Sequence, residues 1–262
     1  MLGKLMKYEW KSTWELLVPA NLLIIVMSFF ACIAVKLDFY DFGLGIGMNW
    51  YAGVMIILMY VLSMFVALVG SAVYLIYHFY TSTYGDQGYL LHTLPVDKHY
   101  IIIAKVLVSS AWILLSSFLM YLSVFFLFNL EGDIFSDFIE TVQIVVLGIY
   151  DGVSVFAVMM SIIAALVGML VRVLKVAACI SLGQLSSNHK LLAAFGYYFA
   201  IYIIQQIISG CYQVFLEVLR DATGNRSWYG GSWEFSLIAG LIYCVVFYLL
   251  TWHVMDKQLN LD

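Results

Sequence analysis

Six long apolar runs, separated by shorter polar segments, dominate the pattern of this chain. A helix needs about 20 apolar residues to cross the ~30 Å hydrocarbon layer of a bilayer. The pattern therefore predicts an all-α integral membrane protein with six transmembrane helices, and the longer runs predict tilted helices or helices that continue into water. The predicted spans cover about residues 16–35, 51–77, 100–130, 145–171, 191–218 and 235–252.

Composition agrees with this pattern. Of the 262 residues, 64% are hydrophobic and 11% are charged. Soluble domains are about 45–50% apolar and about 25% charged. The bilayer must therefore be the main solvent of the chain. The net charge of −4 says less about partners than the positions of the charges do.

Lysine and arginine are distributed unevenly between the two sides of this topology. Positive residues collect on the cytoplasmic side of membrane proteins, so the side with the excess, which carries both termini, is predicted to be cytoplasmic. The even number of spans agrees with this. The cytoplasmic set is Lys4, Lys7, Lys11, Lys98, Lys105, Arg172, Lys175, Lys190 and Lys257, and the outer set is Lys36, Arg220 and Arg226.

The first residues have an amphipathic pattern of their own. Apolar residues, including Trp10 and Trp14, recur at helical spacing, and lysines occupy the opposite face. This pattern predicts that residues 1–15 form an amphipathic helix in the membrane interface, with both tryptophans at headgroup depth. The alternative is a simple extension of the first span. Pro19 is predicted in the first turn of that span, where its missing N–H costs least.

Two regions fit more than one structure. Residues 172–190 contain an apolar stretch that is too short to cross alone, and this stretch could continue the fourth helix in the cytoplasm and pack on protein. Residues 210–233 are either an extended outer end of the fifth helix or a short re-entrant hairpin. The remainder, residues 16–262, is predicted to be a single six-helix domain.

The sequence lacks the motifs of several common catalytic and nucleotide-binding sites. The sequence has no G-x-x-x-x-G-K-[ST] phosphate loop, no H-E-x-x-H and no G-x-S-x-G. Its four cysteines lie far apart, without a histidine at metal-ligand spacing. We therefore expect no catalytic, metal or cofactor site in this chain.

Intramembrane charge, the usual mark of an ion-coupled transporter, is scarce. Asp151 is the carboxylate predicted inside a span, where it either lines a cavity or lies at the outer interface. Gly148 and Gly152 form a G-x-x-x-G step, and Ala164 and Gly168 form a second small-residue step. Such steps allow close helix packing, within the chain or against a second copy.

The polar, turn-rich segment 83–99 stands out between spans two and three. Gly85 and Gly88 bracket a turn, residues 89–91 form a short apolar ridge, and Pro95 interrupts regular structure. Asp97 is suited to cap the next helix. The segment is predicted to form a short cytoplasmic helix across the membrane plane, with an ordinary polar connector as the alternative.

The sequence of this segment resembles a known loop. Gly-Asp-Gln-Gly-Tyr-Leu-Leu at 85–91, Thr-Leu-Pro-Val at 93–96 and Lys105 are similar to the first cytoplasmic loop of bacterial type-2 ATP-binding-cassette (ABC) exporter permeases. Residues 181–185 and 188–190 resemble a second cytoplasmic stretch of the family. Asp97 departs from the family pattern, in which many members have serine.

The resemblance implies a permease subunit in the bacterial cell membrane that pairs with a second permease chain, as a homodimer or heterodimer. ATP and Mg²⁺ would be bound by a separate cytoplasmic ATPase subunit, so this chain would not be an enzyme. The residues that would couple the two subunits are Asp86, Gly88, Leu94, Pro95 and Val96.

Two other functions remain open. One is a non-transporting membrane sensor or structural subunit, and the other is an ion-coupled carrier that depends on Asp151 or another buried acid. The aromatic content would suit an apolar or amphipathic cargo such as a peptide, antibiotic or lipid, but the same rings are expected for packing and interfaces.

Overall fold

The computed structural model describes residues 2–36, 48–85, 88, 97–128, 155–186, 189–223 and 231–257. These residues form six long α-helices and no strand. The helices are α1 (Leu2–Lys36), α2 (Met48–Tyr84), α3 (Lys98–Phe128), α4 (Val155–Gly183), α5 (Lys190–Thr223) and α6 (Gly231–Lys257).

All six helices are long and apolar enough to cross a membrane. Their exposed surfaces carry many large hydrophobic side chains, among them Leu192, Phe195 and Phe199 on α5. Water would not stabilise such surfaces, whereas lipid does. The predicted all-α, six-helix, multi-pass membrane class is thus confirmed at this level.

The first helix differs from the sequence prediction. α1 runs without a break from Leu2 to Lys36, so a separate interfacial helix over residues 1–15 is not supported and the alternative, an extension of the first span, describes the helix. Pro19 lies inside α1 instead of at an N-terminus. It removes one N–H donor, and one missing hydrogen bond does not end a 35-residue helix.

The two ambiguous regions are largely resolved. Residues 172–183 continue α4, and residues 177–181 are almost completely buried, which confirms a continuation that packs on protein. Residues 210–223 continue α5, as one of the two alternatives predicted. The fourth helix therefore ends later in the sequence than its predicted span.

The chain divides into two compact units. The larger contains residues 1–2, 79–107 and 153–262, and the smaller contains residues 3–78 and 108–152. In the larger unit α4 packs on both α5 and α6. Its core consists of Ile102, Val106, Val171, Leu174, Ala178, Phe247 and Met255.

The smaller unit has its own core around Trp112 of α3. This side chain is 1% exposed, and it packs with Leu17 of α1 and Leu75 of α2. Its indole N–H donates a hydrogen bond of 2.8 Å to the Thr13 hydroxyl oxygen. Elsewhere in this unit, the hydroxyls of Tyr60 and Ser123 lie 2.6 Å apart and join α2 to α3.

A close helix approach occurs at Gly240, which the small-residue pattern did not include. A Cβ atom added at Gly168 would meet nothing within 4 Å, whereas one added at Gly240 would lie 2.9 Å from Cγ1 of Val167. Gly240 therefore marks the close contact of α6 with α4. Gly148, Gly152 and Asp151 lie outside the described residues.

Candidate functional site

Most of the predicted coupling residues lie outside the described part of the chain. These are Asp86, Leu94, Pro95 and Val96. Gly88 is described and buried, and its N–H donates a 2.7 Å hydrogen bond to the Gly85 carbonyl. A Cβ at Gly88 would collide with the Thr83 carbonyl oxygen. Glycine is therefore favoured at position 88, because a larger residue would not fit against the end of α2.

The end of α2, where the segment begins, is fixed to α4. The hydroxyls of Tyr84 and Ser181 lie 2.6 Å apart, and Ser181 also donates 2.8 Å to the Ala177 carbonyl. One turn earlier, Phe79 forms a buried cluster with Ala177 and Ile180. Polar and apolar contacts together hold the last two turns of α2 against α4.

The start of α3, where the segment ends, is fixed to α6. The Lys98 ammonium donates 3.0 Å hydrogen bonds to the Met255 carbonyl and to Oδ1 of Asp256. The backbone N–H of Tyr100 donates to the Asp97 carbonyl, so the helix begins at the predicted position.

His99 adds a second attachment of α3 to α6. Its Nδ1 lies 2.6 Å from the Tyr248 hydroxyl, and its ring stacks on Trp252 with centroids 5.1 Å apart. Two successive residues at the N-terminus of α3 therefore contact α6 through side chains.

A buried lysine links α3 to the end of α2. Lys105 is 3% exposed, and its ammonium donates a 2.6 Å hydrogen bond to the Ser82 hydroxyl. A buried ammonium is costly unless its donors are satisfied, so this contact ties α3 firmly to the end of α2.

Both ends of segment 83–99 are thus anchored within the larger unit. Rigid, packed elements of this kind can transmit a displacement of the segment to the membrane helices. Sequence reasoning used Lys98 as an orientation charge and Lys105 as an orientation charge and part of the family resemblance, and it missed these contacts. The sequence contains one sign of a buried polar contact here, because Lys105 interrupts the otherwise apolar run 101–108.

Removal of the Tyr84 hydroxyl should weaken the α2–α4 attachment. We expect Tyr84→Phe to lower the free energy of unfolding by about 0.5–1.5 kcal/mol, the usual range for one buried hydrogen bond between membrane helices. Pulse proteolysis across a series of SDS concentrations in mixed micelles measures this change. Tyr8→Phe, at a tyrosine that is 73% exposed, is the matched control and should have no measurable effect; equal effects would contradict the assignment.

A second buried lysine lies between α4 and α5, and sequence reasoning missed it as well. Lys175 is 7% exposed and donates 3.1 Å to Oε1 of Gln205. Its ammonium lies 4.8 Å from the ring centroid of Tyr198 and 5.6 Å from that of Tyr202. These cation–π contacts and the amide stabilise the charge inside the protein.

The tryptophans predicted at the membrane interface have a packing role. Trp10 stacks on Trp112 with ring centroids 4.5 Å apart, and Trp14 contacts the same ring edge-on at 6.2 Å. Nearby, Nε2 of His78 lies 3.0 Å from a carboxylate oxygen of Glu9. α1 is therefore fixed to α2 and α3 by its first four turns.

Within the described ranges, no group of three or more His, Cys, Asp or Glu side chains is placed to hold a metal ion. Comparisons with protein-family models, with curated proteins and with solved structures find no match. Among the described residues, the anchored ends of segment 83–99 and the buried side chains of Lys105 and Lys175 are the features that indicate a function.

Proposed function

We propose that this chain is the membrane-spanning permease subunit of an ATP-driven ABC exporter of the bacterial type-2 class. It forms the translocation path together with a second permease chain. Segment 83–99 is the coupling segment, which docks a separate cytoplasmic ATPase that binds ATP and Mg²⁺. Both termini lie in the cytoplasm, and the first turns of α1 lie near the inner membrane surface, with Trp14 facing lipid.

One observation carries this proposal: both ends of the segment are anchored to the helix core of the larger unit. α2 is held through Tyr84 and Ser181, and α3 through Lys98 and Asp256. An ordinary connector between two spans needs no such anchors. A segment that receives mechanical work from another subunit does need them, because a loosely attached helix would move without displacing the spans.

The test uses the tagged full-length chain, purified from its native membranes. We expect it to carry a phosphate-loop ATPase that is identified by mass spectrometry and hydrolyses ATP in the complex. The double substitution Asp86→Ala with Leu94→Ala should lower the amount of bound ATPase at least about tenfold, because a central apolar residue and a charged one are removed from one interface.

The matched control is Asp221→Ala with Leu219→Ala. It removes the same two residue types from the far end of α5, which is predicted to lie on the outer side. This control should retain the ATPase. Equal loss in both variants, or unchanged ATPase in the Asp86/Leu94 variant, would refute the docking role. A wild-type complex without any ATPase would refute the exporter proposal itself and favour a sensor subunit or a gradient-driven carrier.

A further inference from the structure

The charge of Lys175 has no acidic partner in the part of the chain that the structure describes. The ammonium contacts one amide oxygen and two aromatic rings, all from α5. The ion pairs His78–Glu9 and Lys98–Asp256 are formed by other side chains. No carboxylate of the described residues therefore neutralises the ammonium in the site between α4 and α5.

A second positive charge lies on the same face of α4. Arg172 precedes Lys175 by three residues, a spacing that brings two side chains of a helix close together, and Arg172 is exposed. Two like charges at this distance repel each other, so an anion between them and the adjacent surface would be stabilised by both.

The surface beside Lys175 offers uncharged donors. Tyr198 is 39% exposed and Tyr202 is 44% exposed. The Tyr202 hydroxyl accepts a 2.8 Å hydrogen bond from Nε2 of Gln206, and a hydroxyl that accepts can still donate its own proton to a further acceptor. Two partly exposed tyrosine side chains of α5 thus lie next to a buried cation.

Helix lengths place this surface at headgroup depth. α4 has 29 residues and α5 has 34, or about 44 and 51 Å of helix, against ~30 Å of hydrocarbon. On α4 the charges of Arg172 and Lys175 place the excess length at the Gly183 end, because the hydrocarbon core tolerates charge poorly. Tyr198 and Tyr202 of α5 lie at the same depth, because their rings contact the Lys175 ammonium. Lys175 lies eight residues before the end of α4, and Tyr198 eight residues after the start of α5, each about 12 Å from its helix end.

We propose that the α4–α5 surface formed by Arg172, Lys175, Tyr198, Tyr202 and Gln206 binds the phosphodiester headgroup of an anionic phospholipid. The guanidinium and the hydroxyl protons contact phosphate oxygens, and Lys175 supplies positive potential from behind. The acyl chains lie on the exposed apolar side chains of α5. A zwitterionic lipid gains less, since its own cationic group is repelled by the same two charges.

Native mass spectrometry of the delipidated full-length chain tests this proposal. The probe is an equimolar mixture of dioleoyl-phosphatidylglycerol and dioleoyl-phosphatidylcholine, which have identical acyl chains. The wild-type chain should bind phosphatidylglycerol in preference, and Lys175→Met should reduce this preference about fivefold, the effect expected for one charge near a headgroup. Lys175→Arg, which keeps the charge, should retain most of it.

Lys36→Met is the matched control, because it removes an exposed lysine from the end of α1 and should leave the preference unchanged. If Lys175→Met does not give a monodisperse protein, Arg172→Met and Tyr202→Phe provide the same test on exposed side chains. Inorganic phosphate at millimolar concentration should not displace the lipid.

Three results would overturn the proposal. They are equal binding of the two lipids by the wild-type chain, an unchanged preference in the Lys175 and Arg172 variants, and efficient displacement by inorganic phosphate. The last would show a site for free anions. The outcome is independent of the exporter proposal, which depends on the ATPase.

Discussion

Replacement of Trp112 by alanine should lower the free energy of unfolding by about 3 kcal/mol, the cost typical of removing a fully buried aromatic side chain. The ring fills the centre of the smaller unit, is 1% exposed, and stacks on Trp10. Helices in lipid gain little from the hydrophobic effect, so lost van der Waals contact and the lost hydrogen bond to Thr13 account for the change. Pulse proteolysis across an SDS series measures it.

Two further variants separate packing from hydrogen bonding. Trp112→Phe keeps an aromatic ring against Trp10 and should cost about 1–2 kcal/mol, mainly through the lost N–H donor. Trp14→Ala removes the same residue type from a position that is 50% exposed and should cost about 1 kcal/mol or less. Equal losses for Trp112→Ala and Trp14→Ala would show that Trp112 is not the centre of this core.

The six helices could be predicted because a bilayer imposes a length on every apolar run. The positions of the helix ends were harder to predict from the sequence. The apolar run gives the length that lies in lipid, whereas α4 and α5 continue beyond it to Gly183 and Thr223. In α4 the added residues 177–181 are buried against protein. The break predicted near residue 15 is absent because α1 packs on α2 and α3 from Glu9 onward, and these contacts favour one continuous helix.

The candidate site was predictable only in its location. The polar composition of segment 83–99 distinguishes it from the apolar runs on either side. The contacts that anchor its ends, however, join residues that are far apart in sequence. Tyr84 and Ser181 are 97 positions apart, and Lys98 and Asp256 are 158 positions apart. No local pattern encodes such pairs. Lys175 could have been noticed as a charge within the apolar stretch of α4, although its cation–π partners could not.

Substitution of Gly183 by alanine should be strongly destabilising, in contrast to most Gly→Ala changes in helices. A Cβ at this position would lie 2.7 Å from the Lys190 carbonyl oxygen and 2.7 Å from the Ala194 Cβ. Both partners belong to the first turns of α5, and a backbone carbonyl cannot rotate away. The corner between α4 and α5 must open, so we expect a loss of about 1–3 kcal/mol in the free energy of unfolding, again measured by pulse proteolysis in SDS.

Gly196 provides the matched control on the same helix pair. A Cβ there would meet nothing within 4 Å, so Gly196→Ala should stabilise the chain by about 0.5–1 kcal/mol through its higher helix propensity. The two identical substitutions therefore have opposite expected signs. Ala194→Gly should remove part of the Gly183→Ala penalty in a double-mutant cycle, because it deletes one of the two colliding atoms. Stabilisation by Gly183→Ala, or a cycle without coupling, would mean that α4 and α5 do not meet at this corner.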